Sequence, residues 1–139
     1  MNRSGYTESY MQFPEAFTLF GMVQGAGAAT PVIPSTTFSA TSSKGYCSAA
    51  NNLVSGVAGD IVRSGVGVYT AKLKDGCPVV LDISASLWGS SGNWGTIQDY
   101  NPTTRVISFS TFAPGGAAAD LAATDFLRFT LLCQASVFS

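Results

Sequence analysis

An all-β fold, an antiparallel β-sandwich or jelly roll of about seven or eight short strands with an extended N-terminal arm, follows from three observations. Apolar and polar residues alternate with a period of two in several stretches, and Gly, Pro, Asn and Asp punctuate the chain about every ten residues. No segment has the period and length of a persuasive helix, so the crossovers that a parallel sheet needs are missing. With 139 residues the chain makes one domain. It divides into an arm over 1–16 and a β domain over 17–139.

The arm has no clean period, although Glu8 to Phe13 suffice for a turn of helix. Tyr6, Tyr10, Met11 and Phe13 give it more apolar content than a disordered tail needs, so it is expected to dock on its own domain or on another subunit. Phe17 to Gln24 is the first strand candidate. It ends at Gly25-Ala26-Gly27-Ala28, and Pro31 and Pro34 forbid a regular helix beyond it. Thr36 to Thr41 is a further short strand candidate. Val57 to Ser64 then leads through Gly65-Val66-Gly67 into Val68 to Leu73, a link that suits a bulged hairpin with Tyr69, Ala71 and Leu73 on one side. Asp75-Gly76 marks a turn, with Pro78 tolerated at the entry of the next strand.

Val79, Leu81, Ile83, Ala85 and Leu87 alternate with more polar positions, which predicts a half-buried strand with the odd residues inward. Trp94 to Tyr100 and Thr104 to Phe112 read as two strands around Asn101-Pro102, and Pro114 to Thr124 as a long loop. The closing strand carries Leu127, Phe129, Leu131, Cys133, Ala135 and Val137 on one face. Its other face keeps Phe126, Leu132 and Phe138 among polar residues. Such a strand is either central between two layers or covered by a neighbouring subunit.

Charge is scarce. Only 11% of residues are charged, against about 25% in an ordinary domain, while 46% are hydrophobic and the net charge is −1. A free monomer favours more surface charge than this. The seven basic residues are scattered singly, so no phosphate-neutralising stripe exists and nucleic acid is not an expected partner. No apolar run approaches the roughly 20 residues of a membrane helix, and Met1 to Tyr6 lacks the apolar stretch of a signal peptide. Neither a membrane nor export is expected.

No catalytic, cofactor-binding or metal-ligating residue emerges. The chain has no histidine, which removes the usual general base and the centre of Ser-His-Asp and Cys-His sites. Cys47, Cys77 and Cys133 have neither zinc-site spacing nor a framework pattern; they read as buried reduced thiols, with one bridge between two of them left open. The two Gly-x-Gly runs open no helix and read as turns. Thr41-Ser42-Ser43-Lys44 lacks the companions of a Ser-x-x-Lys site, and Asn2-Arg3-Ser4 means little as a glycosylation acceptor without export. Asp60, Asp82 and Asp99 are the acids from which a glycosidase pair would be drawn; Asp82 and the turn residue Asp75 read as solvated. Trp88 falls on the outward phase of its strand and Trp94 follows the loop 89–93. They either plug one end of the core or, with Tyr100, form a surface for a sugar or a protein.

The run from Asp60 to Leu73 resembles a hairpin in small structural proteins of tailed bacteriophages, including capsid decoration (cement) proteins and tail-fibre β-domains. Phe20-Gly21-Met22-Val23, Arg105-Val106-Ile107-Ser108-Phe109 and Phe129-Thr130-Leu131-Leu132 are similar in order, and the likeness spans roughly residues 17 to 138. The resemblance implies a non-enzymatic virion protein on the capsid surface, made in the host cytoplasm, that binds between major-capsid subunits, with a homotrimer favoured. The expected interface residues are Tyr6, Tyr10, Met11, Phe13, Trp88, Trp94, Phe126, Leu132 and Phe138. The alternative is a receptor- or glycan-binding module of a head or tail fibre, although the chain has no internal repeat of a fibre shaft.

Overall fold

Alternation of apolar side chains settles most of the architecture in the computed structural model, which describes residues 16–34, 52–74 and 79–134. Seven strands form in the order β1 (Ala16–Gln24), β2 (Ile61–Gly65), β3 (Val68–Lys72), β4 (Val79–Trp88), β5 (Trp94–Asn101), β6 (Val106–Phe112) and β7 (Phe126–Gln134), and no helix occurs among the described residues. They make two antiparallel sheets, one ordered β1-β7-β4 and the other β2-β3-β6-β5. The strand candidate at 36–41, the turn at 75–76 and Pro78 lie outside the described residues.

The two sheets face each other across one core, as in a β-sandwich. Leu127, Phe129, Leu131 and Cys133 of the central strand β7 are fully buried, as are Tyr69 and Ala71 of β3 and Ile107, Phe109 and Thr111 of β6. Phe109 meets Phe129 edge-on with ring centroids 5.0 Å apart, joining the sheets, and Tyr69 stacks on Phe109 at 5.2 Å. Burying each of these aromatic side chains contributes about 2–3 kcal/mol. The hairpin forms as its glycines predict: Val66-Gly67 make the turn, and the register shifts between Arg63 and Gly65.

The phase of β4 differs from the simple alternation. Its pairing with β7 slips between Val80 and Asp82, so Leu81 is the extra residue of a bulge and stands 43% exposed. Val80 takes the inward position opposite Cys133, Val79 turns outward, and only Ile83, Ala85 and Leu87 keep the predicted inward phase.

A second departure concerns sulfur. Cys133 is disulfide-bonded, so the single bridge that the sequence left open is formed and the reading of three reduced thiols does not hold. Its partner is drawn from Cys47 and Cys77, both outside the described residues. Linear spacing carries no pairing signal of this kind, because approach of two Cβ atoms in the fold decides it.

Candidate functional site

Three glycines on separate connections hold one segment, residues 119–125, against the end of the sandwich. A Cβ at Gly25 would collide with the carbonyls of Leu121 and Ala122, and one at Gly89 with Asp125. One at Gly67 would meet the Thr111 carbonyl, and its φ of 67° already favours glycine. One glycine of each Gly-x-Gly run, Gly25 and Gly67, thus serves close backbone packing, while Gly27 and Gly65 border open space.

Asp120 is the centre of this end. Its Oδ1 accepts from Arg63 Nε (2.9 Å), the Gly67 amide (2.9 Å) and the Tyr69 hydroxyl (3.0 Å), and its Oδ2 accepts from Arg63 Nη2 at 2.8 Å. The Tyr69 hydroxyl in turn accepts from the Leu121 amide at 2.8 Å. Hydrogen bonding to the Arg63 guanidinium, with help from Gly67 and Tyr69, outweighs desolvation and lowers the Asp120 carboxyl to about 2. Burial, the largest influence on Tyr69, pushes its hydroxyl above its ordinary value. Asp125, fully buried, accepts from Ser91 Oγ on both oxygens and from the Ala122 amide. These bonds tie the 119–125 segment to Arg63 of β2, to Gly67 and Tyr69 of the hairpin and to Ser91 of the 89–93 connection, as a strap across the end of the sandwich.

The acids singled out by sequence do not converge. Asp82 stands on the outer face of the three-stranded sheet, and Asp99 on the outer face of the other sheet. Asp60 accepts from Ser55 Oγ in the turn before β2, on the far side of the four-stranded sheet from β5. Three strand spacings, about 14 Å, separate those two edges. No group of three or more potential metal ligands occurs among the described residues. A shallow groove of about 230 Å³ between residues 30–33 and 56–61 is lined by Pro31, Val32, Ile33 and Val57 with no ionisable side chain.

Two exposed aromatic pairs mark the surface. Trp88 and Trp94 flank the 89–93 connection at one end of the sandwich, each nearly half exposed. Trp88 stacks on Phe126 at 4.9 Å and Trp94 on Phe112 at 4.5 Å. The register puts these pairs on opposite outer faces, so the tryptophans do not form one platform. Tyr100 does not join either face: it opposes Ile107 and packs on the core, and its buried hydroxyl has no hydrogen-bond partner among the described residues. The register shift between Ile97 and Asp99 turns Tyr100 in, away from the face of Trp94.

No family model, curated protein or solved structure matches the chain.

The outer face of the three-stranded sheet also carries Leu132 (38% exposed), Phe20 and Arg128, whose guanidinium carbon lies 5.6 Å from the Phe20 ring centroid; Met22 shares that face by register but is buried. The other outer face carries Val62 and Val68 among Thr70, Thr96, Ser108 and Ser110. Of the interface residues expected from sequence, Trp88, Phe126 and Leu132 share one face and Trp94 is on the other. Tyr6, Tyr10, Met11, Phe13 and Phe138 lie outside the described residues. The strap residues Asp120 and Asp125 gave no signal in sequence, since Arg63 and Asp120 are 57 positions apart.

Proposed function

We propose that this chain is a non-enzymatic structural protein of a tailed-phage particle, a decoration protein that sits on the capsid surface and binds between major-capsid subunits as a homo-oligomer. The supporting observation is that both outer sheet faces keep large apolar side chains exposed: Val79, Trp88 and Leu132 on one, Val62, Val68 and Trp94 on the other. With charged residues at 11% of the chain, the composition suits a protein whose surface is covered by other subunits. Many symmetric copies make a sum of modest contacts large. A disulfide at Cys133 is consistent with a particle exposed to oxidising surroundings. The test is to add purified protein to shells stripped of it and count bound copies. Saturable uptake that increases shell resistance to heat supports the reading, and absence of uptake removes it.

A glycan-binding module is the second reading, favoured by one face alone. Trp94 shares the outer surface of the four-stranded sheet with Thr96, Asp99, Ser108 and Ser110, an aromatic ring beside hydrogen-bonding groups. Trp94→Ala abolishes glycan retention on this reading and leaves shell uptake largely intact.

A further inference from the structure

The flank formed by β4 is unfinished. Over residues 80–87, β4 is an edge strand, bonded among the described residues only to β7 within its sheet. Residues 80–87 make no backbone hydrogen bond outside that ladder among the described residues. The inward row shows the consequence: Val80, Ile83, Ala85 and Leu87 are only partly buried, whereas the inward residues of β7 beside them are fully buried. Natural edges are guarded by lysine, proline, shortness or a bulge, and of these β4 has only the bulge at Leu81. Within Val79–Trp88 there is neither lysine nor proline, and the single charge is Asp82. The opposite edge of the same sheet is closed: Leu53 donates to the Phe20 carbonyl, Asn52 bonds Met22 on both its N–H and C=O, and Val32 bridges Gln24.

We infer that the β4 edge pairs antiparallel with β4 of a second copy of this chain, joining two three-stranded sheets into one of six strands across a two-fold axis at Ser84. The sequence is self-complementary in that register. Asp82 faces Ser86 of the second copy rather than its own mate, and Ile83 faces the second copy's Ala85, extending the apolar row across the seam. On the outer face Ser86 is paired with Arg128 of β7. The second copy's Asp82 therefore stands two strand spacings, about 10 Å, from Arg128 at the level of the backbone, within the combined reach of the two side chains. Arg128 forms no ion pair among the described residues, so the carboxylate is available to complete one. A net charge of −1 opposes self-association only weakly. The Leu81 bulge limits the regular ladder to the few residues around the axis, which fits a reversible dimer rather than an obligate one.

This pairing stands apart from the shell reading, because it is tested on the purified chain alone. Sedimentation velocity from micromolar to millimolar concentration is expected to show a monomer–dimer equilibrium. Ser84→Lys sets two lysines against each other on an exposed position and is expected to weaken the dimer by at least about tenfold. Asp82→Lys weakens it too, and Asp82→Lys combined with Arg128→Glu restores it. A chain that remains monomeric throughout, a trimer, a Ser84→Lys variant that associates like the parent, or a charge swap without rescue overturns the inference. Circular dichroism of each variant checks that the fold is intact.

Discussion

Replacing Asp120 by Asn keeps the shape of the strap while removing the charge on which four donors converge. The loss is expected at about 2 kcal/mol, in the range of charge-assisted hydrogen bonds, read as a lower midpoint in urea. The pH dependence has a definite sign. Because the folded carboxyl titrates near 2 and the ordinary value is 3.8, the stabilisation is fully present above about pH 4 and is lost as pH falls toward 2. The difference between parent and Asp120→Asn stability should therefore shrink over that window and stay constant above it. Partial exposure of both partners, 21% for Arg63 and 18% for Asp120, screens the pair and keeps the effect moderate. At the other limit, the raised Tyr69 hydroxyl contributes stability below its ordinary value of 10.0 that is lost as pH rises further. None of this was legible in sequence. Arg63 sits in a strand, Asp120 in a Gly- and Ala-rich loop, and no local spacing links them. The acids that did attract attention, Asp60, Asp82 and Asp99, belong to turns and strand faces whose mutual placement depends on sheet order.

Among elements, legibility followed regularity. β3, β6 and β7 alternate without interruption, and their inward residues are those the period assigns. β4 and β5 each contain a bulge, which costs one position of phase and hides which of Val79, Val80 and Leu81 faces inward, and likewise Tyr100. A bulge adds one residue to the pattern, Leu81 in β4 and Gln98 in β5, with no residue type that marks it. The protection of β1 was equally hidden, because it depends on a side chain acting as backbone. Asn52, fully buried, accepts from the Met22 and Val54 amides at 3.0 and 2.9 Å and donates to the Met22 carbonyl at 2.7 Å. Asn52→Leu keeps the volume and leaves those three groups without partners, for an expected loss of about 3 kcal/mol. Amide hydrogen exchange at Met22 and Val54 should accelerate with it, while exchange in β6 follows global unfolding alone.

For the whole molecule, the class of fold was readable because turn residues recur at strand spacing and helical periods are absent, and seven strands in two antiparallel sheets result. The sulfur chemistry was not readable, since it joins positions remote in sequence. Alkylation in denaturant without reductant is expected to label one of the three cysteines, and all three after reduction. Reduction should lower stability by roughly 2–4 kcal/mol, as for a bridge closing a long loop. An unchanged thermal midpoint in reductant, or three labelled thiols without it, is the contrary result.

Both tryptophans of the chain are on its outside, each against a phenylalanine, while the interior is lined by Tyr69, Phe109 and Phe129. The usual optical sense of tryptophan is thereby inverted. Emission excited at the indole band already comes from partly hydrated rings in the native state, so unfolding shifts it little. Contact with another molecule on either face dries one ring and shifts the emission to the blue. Because the rings occupy opposite faces, a single-tryptophan variant reports which side of the sandwich has been covered.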